Sequence, residues 1–474
     1  MHGKRRRLRS GRAWAFGPAL VLWAAASFSA RAETPQAPAP AEPPAKFTYH
    51  FNRDHPGYKL LVSKAYVNQT ITPEIFEKLW TVWEDQQRQR AARASEEQRR
   101  RMTLRRYGLV PLPDGSPVPL THVQNARGGW AINCFFCHAG RVLGTVVPGA
   151  PNTLLDMQTL REDIRLVKAR QGKLSRYDLA EALFPMNTSR GTTNAVMFAV
   201  ALGALRDPEL NLRRKFQMPH FTHHDLDPPP WWNVKKKKRL YCDGFVARDH
   251  RPLMAFVMVP QNSGQTIRSW EEDFKQIYQW ILTLQPPKYP FPVDRELAER
   301  GRRVFRRHCA SCHGTYGPDG KYPNRVVPIE ELGTDPVRLQ ALAQYRRQYA
   351  RSWFAHGGKL PVETEPKGYV APPLDGIWAS APYFHNGSVP TLWHVLHPDR
   401  RPVLWRRSSE DGYDTQRVGL PIEVREELPR GLSRSQRRWW FDTRRFGKSA
   451  AGHRYPEKLS EAQRRAVLEY LKTL

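Results

Sequence analysis

The chain has 474 residues, a length that suits two to three domains. Its 75 Lys and Arg outnumber 45 Asp and Glu, a formal charge of +30. Such a field favours an acidic partner or an anionic surface, with a plain solvated basic shell as the equal alternative. Beyond residue 32 no stretch is apolar enough to cross a bilayer as a helix.

Residues 1–32 have the layout of a secretory signal peptide. Lys4, Arg5, Arg6, Arg7, Arg9 and Arg12 come first, an uncharged run over 13–30 follows, and Ala30-Arg31-Ala32 supplies the small-x-small cleavage site. An uncleaved anchor is the alternative, since the run approaches the roughly 18–20 residues that span a bilayer. Cleavage removes seven basic residues and no acidic one, so the mature chain keeps +23 of the +30. Residues 33–46, rich in Pro and Ala, read as an extended linker. The leader predicts a periplasmic protein with no transmembrane segment after processing, and makes nucleic acid a poor partner.

Residues 47–285 read as a first domain. Thr72-Pro73 predicts a helix start, and Ile75, Phe76, Leu79, Trp80 and Trp83 a core-facing stripe. From Asp85 to Arg106 the sequence turns almost wholly charged and predicts a helix projecting into solvent. Pro111, Pro113, Pro117 and Pro119 break it. Then comes Cys134-Phe135-Phe136-Cys137-His138. Two cysteines three residues apart, followed at once by histidine, make the c-type haem attachment pattern. One tight turn puts both thiols over the two vinyl groups of one porphyrin, and the adjacent imidazole becomes the proximal ligand of the iron.

Helices are predicted over Leu155–Lys168 and, buried and Ala-rich, over Thr192–Leu205. The ligand opposite His138 is open. His220, His223, His224, Met254 and Met258 are candidates, each more simply a surface histidine or a core methionine. If none binds, a five-coordinate iron can take up dioxygen or peroxide. The Lys235–Arg239 run reads as an exposed loop. Cys242, the leftover thiol, reads as a small buried hydrophobe.

An apolar helix around Phe274–Leu284 and the Pro-dense Gln285–Pro292 lead into a second domain, 286–474. Asp294–His308 predicts a helix with Leu297, Gly301, Val304 and Phe305 on one face. It runs into Cys309-Ala310-Ser311-Cys312-His313, a second attachment motif. Ser460 and Gln463 form a capping-box signature, with Val467, Tyr470, Leu471 and Leu474 on one stripe after it. The first and last helices of a cytochrome c domain cross, and both partners are visible here. His453, in a loop just before the terminal helix, is the expected sixth ligand of the second iron. Bis-histidine ligation suits that iron to electron transfer. His385 is placed near the haem edge, and His308, His394 and His397 as surface or core residues.

The two motifs take up Cys134, Cys137, Cys309 and Cys312, four of five cysteines. Zinc ribbons place their pairs about 15–20 residues apart, and a thioredoxin-like pair needs a βαβ context. Structural disulfides suit an oxidising compartment but explain neither histidine.

Ala371-Pro372-Pro373-Leu374, running on to Ala381-Pro382-Tyr383-Phe384-His385-Asn386-Gly387-Ser388-Val389-Pro390-Thr391-Leu392, resembles the bacterial di-haem peroxidases and their relatives, nearest the rubber-oxygenase-like branch. The resemblance covers most of 125–474. It implies histidine on both sides of the second iron, with His453 matching the later one, and a reactive first haem. Two departures stand out. The peroxidases carry a glutamine and a glutamate after an aromatic-Trp-Asp-Gly segment, whereas this chain has Tyr241-Cys242-Asp243-Gly244 with neither residue in an obvious place after it. The oxygenase branch has tryptophan where Cys242 stands.

The resulting expectation is a mainly α protein of two cytochrome c-type haem domains in tandem, with long irregular loops and two covalently bound haem c groups. Calcium, which some relatives hold between the domains, is left open. Electrons would pass through a six-coordinate second haem to a first haem that reacts with dioxygen or peroxide, supplied by a periplasmic redox partner of acidic character. The alternative is a pure electron carrier with both irons six-coordinate.

Overall fold

Helix α1 (Pro56–Ser63) starts where the His55 ring accepts the Gly57 amide and Pro56 presets the first turn. Here the computed structural model describes residues 47–474 apart from 113–114, 176–177, 180–181, 183–188 and 216–221. The leader and linker readings, and His220, therefore lie outside the described residues. Two further helices appear near their expected limits. Helix α2 (Met157–Arg170) is capped by Asp156, and α3 (Ala195–Ala204) is apolar and largely buried. Helix α4 (Glu271–Thr283) opens with three acidic residues, which suit the positive end of a helix dipole.

Helix α4 packs across α1 at a contact only glycine permits: a Cβ on Gly57 would lie 2.1 Å from the Gln276 carbonyl oxygen. The later half repeats this. Helix α5 (Arg295–His308) is capped by Asp294, and α6 (Glu461–Leu471) by the expected Ser460–Gln463 box. A Cβ on Gly301 would lie 1.8 Å from the Ala466 carbonyl oxygen, and Phe305 meets Tyr470 at 5.3 Å. Each half thus has an early helix and a late one crossed at a glycine.

Between these pairs the chain is irregular, with short antiparallel sheets. The largest has the order β2-β1-β3, with β1 (Leu404–Arg407) between β2 (Ile422–Arg425) and β3 (Phe441–Asp442). One hydrophobic core runs through both halves, from Phe135 and Trp280 to Phe305 and Trp378, and a second gathers Phe76, Leu79, Tyr107 and Ile164 in the earlier half. No helix among the described residues is long and apolar enough to cross a membrane.

Two surface readings need correction. The charged stretch after Asp85 is two helices, Asp85–Ala92 and Glu96–Tyr107, the second started by a Ser95–Gln98 capping box. Its end does not project into solvent. Arg106 is buried over Trp83 and reaches Glu84 at 2.9 Å and Asp163 at 3.3 Å, so distant carboxylates offset the cost of burying it. The lysine run after Trp232 is not an exposed loop either. Trp231–Lys236 forms 3-10 turns in which Lys236 pairs with Asp375 at 2.7 Å and Lys235 with Gln285 at 2.7 Å.

Candidate haem-attachment sites

Each motif folds as a single tight helical turn, Phe135–His138 in one half and Ala310–His313 in the other. Such a turn brings the two thiols and the imidazole into one neighbourhood. All five cysteines are free thiols, so the disulfide reading has no bridge. Among the described residues no three His, Cys, Asp or Glu side chains converge as a metal-ion site, which leaves the zinc reading without one. Burial pushes the Cys134 thiol up to about 12, Cys137 to about 11 and Cys309 to about 12, so they stay protonated.

In the later half, His313 Nδ1 lies 2.9 Å from the Pro372 carbonyl oxygen. A carbonyl can only accept, so Nδ1 carries the proton and Nε2 keeps its lone pair free for a metal. Facing it is His453, with ring centroids 6.1 Å apart. Two imidazoles on opposite sides of one metal ion have centroids about 6.3 Å apart, taking about 2.0–2.1 Å per metal–nitrogen bond and about 1.1 Å from nitrogen to ring centre. The observed spacing is compatible with a shared ligand pair.

The loop that presents His453 is held firmly. His453 itself has φ +47°, its amide donates to the Leu332 carbonyl at 2.7 Å, and Arg401 donates to the carbonyls of Ala450 and Gly452, both at 2.7 Å. Phe384 packs on the His453 ring at 6.0 Å. Burial, with His313 and Arg401 alongside, pushes the His453 imidazole down to about 3, and burial lowers His313 too. Both rings are therefore neutral at pH 7, the form that ligates.

The earlier half differs. His138 stacks on Trp231 at 4.6 Å, and among the described residues no second imidazole faces it. The Pro229 carbonyl lies beside its ring, the counterpart of Pro372, though His138 Nδ1 falls short of a full hydrogen bond. Burial pushes its imidazole down to about 3. The described candidates for the far side have other contacts, although the His224 Nε2 is buried without a partner among the described residues. His224 Nδ1 bonds the Thr222 carbonyl at 2.9 Å, His223 lies 3.3 Å from Asp225, and Met254 and Met258 are in the hydrophobic core.

A local repeat relates the halves. Tyr241–Gly244 and Phe384–Gly387 are the same kind of turn: Tyr241 has φ +66° and Phe384 +68°, and Gly244 and Gly387 donate back to them at 3.2 and 3.1 Å. The two turns exchange partners. The Val370 amide donates to the Cys242 carbonyl at 2.8 Å, and the Asp227 amide to the His385 carbonyl at 2.9 Å. Val370 and Asp227 each stand two residues before the proline beside the proximal histidine. Cys242 and His385 are therefore equivalent positions.

Burial pushes the Cys242 thiol up to about 11. The His385 ring packs on Tyr369 at 4.4 Å, and it is the adjacent Phe384 that touches His453. Sequence reasoning did not single out Phe384, Arg401, Trp231 or Pro229. The repeated aromatic-x-(Asp/Asn)-Gly pattern was the signal that could have exposed the two turns.

Residues 368–406, which hold Pro372 and the Phe384–Gly387 turn, match the family model for RoxA-like, cytochrome c-like domains. A cytochrome c-like segment implies covalently bound haem, and the cysteine–histidine turns have the donors to hold it. The class is thus a haem-binding cytochrome. Two relatives come from Sinorhizobium fredii. The chain is 32% identical to the protein titled "Uncharacterized protein y4iM" over 198 residues, 36% of this chain and 44% of that protein. It is 27% identical to "Uncharacterized protein y4iJ" over 259 residues, 40% of this chain and 41% of that one. The chain spans less than half the length of either relative.

Proposed function

We propose that this chain is a periplasmic di-haem c-type cytochrome with one closed and one open iron, acting as an oxidoreductase on dioxygen or peroxide. Cys309 and Cys312 tether the second haem and His313 and His453 hold its iron. Cys134, Cys137 and His138 hold the first. The observation that carries this reading is the 6.1 Å spacing of His313 and His453, set against a His138 ring that meets Trp231 instead. The crossed helix pairs and the repeated turns support two cytochrome c-type domains in tandem.

When bound, haem c supplies one-electron chemistry and, where an axial position is free, a place for a small oxidant to react. The side chains set which haem does which. Pro372 fixes the His313 tautomer through its carbonyl oxygen. Arg401 and the Leu332 carbonyl hold the His453 loop against its partner ring, closing that side to small molecules. Trp231 orients His138 by stacking and leaves its face away from Pro229 without a competing imidazole among the described residues.

A holoprotein preparation tests this by pyridine haemochrome and carbon monoxide binding to the reduced form. Two c-type haems per chain, with carbon monoxide shifting the spectrum of one, are expected. A single haem, or no carbon monoxide response, would refute the assignment.

A further inference from the structure

Beside the first attachment turn lies a cavity of about 330 Å³ that the haem reading does not use. It abuts that turn through two neighbours: Thr153 follows Asn152, whose amide donates to the Cys137 carbonyl at 2.9 Å, and Thr192 precedes Thr193, whose hydroxyl lies 3.7 Å from Cys137 Sγ. Its walls combine aromatic, cationic and acidic groups, the last being Glu410 and Glu423. Trp405 and Phe441, stacked at 5.3 Å on β1 and β3, give the apolar side, and Arg190, Arg406, Arg407 and Arg438 the charged one.

The arginines are not equivalent. Arg190 is paired with Glu410 at 2.9 Å, Arg406 with Glu423 at 2.6 Å, and Arg438 with Glu162 at 2.7 Å. Arg407 has no carboxylate partner among the described residues. Its guanidinium donates to the Thr153 hydroxyl at 2.7 Å and the Ser409 carbonyl at 2.7 Å, both neutral. The two acidic residues that follow it are engaged elsewhere, Glu410 by Arg105 and Arg190 and Asp411 by Arg141. Burial, and Arg190 nearby, push the Arg407 guanidinium down to about 10, with Glu410 and Asp411 opposing from beyond contact distance. Arg407 is half-buried, and a partly desolvated guanidinium is best stabilised by a carboxylate in direct contact, which it lacks among the described residues.

We infer that this cavity is a carboxylate-binding site in which Arg407 is the anion anchor, with Thr153 holding the guanidinium in place and Trp405 and Phe441 receiving the apolar body that carries the carboxylate. Arginine suits the role because its planar fork takes a carboxylate through two parallel hydrogen bonds. The carboxylate can come from a diffusible organic acid or from a propionate of the first porphyrin. Only the second source rests on the haem assignment.

The experiment uses the purified holoprotein and titrates it calorimetrically with benzoate, with neutral benzamide as control. For a diffusible acid, benzoate binds saturably, benzamide does not, and Arg407→Gln weakens benzoate about ten-fold or more, the loss of one charge-assisted bond. For a propionate, benzoate does not bind and Arg407→Gln lowers the reduction potential of the first haem, because removing a cation favours the ferric state. Arg407→Lys keeps the charge and restores the potential, while it restores benzoate binding only in part. If benzoate fails to bind and the potential is unchanged in Arg407→Gln, the site does not exist. Should the variants fail to fold, a wild-type titration in which benzamide binds as well as benzoate overturns the diffusible arm, and a first-haem potential that does not fall as salt rises overturns the propionate arm. A pyridine haemochrome on the same sample separates failure of this inference from failure of the haem reading.

Discussion

The two attachment turns have the same residues at the same spacing, yet their surroundings diverge. His313 meets a second imidazole at 6.1 Å, held by a loop that Arg401 and Leu332 fix, whereas His138 lies flat on Trp231 at 4.6 Å. Under the proposed reading the tether would be local and repeated, while the far side of each iron would be decided by chain that arrives from elsewhere. In the later half that chain is the loop before α6. In the earlier half no described imidazole faces His138, and the buried His224 Nε2 has no partner among the described residues. On that reading the motif would set attachment and the distant loop reactivity.

The comparison is most sharply broken at the tethers. Cys309→Ser with Cys312→Ser should remove one haem per chain, and Cys134→Ser with Cys137→Ser the other, as read by intact mass. If either double variant keeps both haems, the equivalence of the turns is wrong. A smaller effect is expected at the ligands. His453→Ala should convert the second haem to a high-spin form that binds carbon monoxide, while His224→Ala should leave both spectra as they were. A spectral change in the His224 variant would bring that ring onto the first iron.

At the scale of packing, Gly57→Ala and Gly301→Ala should each lower stability, because the added methyl meets a backbone carbonyl in both crossed pairs. A cost of about 1–3 kcal/mol is expected for such overpacking. Denaturant unfolding checks it, and a neutral result at only one glycine would end the structural parallel between the halves.

The smallest effect is a pH dependence at Glu84, where Ser435 of the later half meets the earlier one. Burial would raise the Glu84 carboxyl, but hydrogen bonds from Ser435 and Arg106 outweigh it and hold the group down to about 2, against an ordinary value of 4.5. A depressed carboxyl stabilises the fold above its unfolded value and loses that contribution as pH falls from about 4.5 toward 2. Glu84→Gln should therefore be less stable than wild type at pH 7 and indistinguishable from it near pH 2. A constant difference across that range would assign the contact another origin.

Much of this was legible where the determinants are adjacent in sequence. Ser460 and Thr72 cap the helices they were expected to cap, because a cap bonds an amide two or three residues away. Gly301 and Phe305 lie on the face of α5 that meets α6, as their spacing indicated. What was not legible depends on partners far along the chain. Arg106 looked solvent-facing until Glu84 and Asp163 surrounded it. The exchange between the Cys242 and His385 turns consists of backbone hydrogen bonds, which no side-chain pattern announces. Phe384 was passed over for His385 because histidine carries the chemistry, although the phenyl ring is the one against His453.

The central claim is that the two irons differ in ligation, one gripped by His313 and His453 and the other open opposite His138. A resting-state electron paramagnetic resonance spectrum of the ferric holoprotein tests it most directly. The account predicts one low-spin bis-histidine signal and one high-spin signal of equal intensity. Two low-spin signals, with no high-spin component, would contradict it.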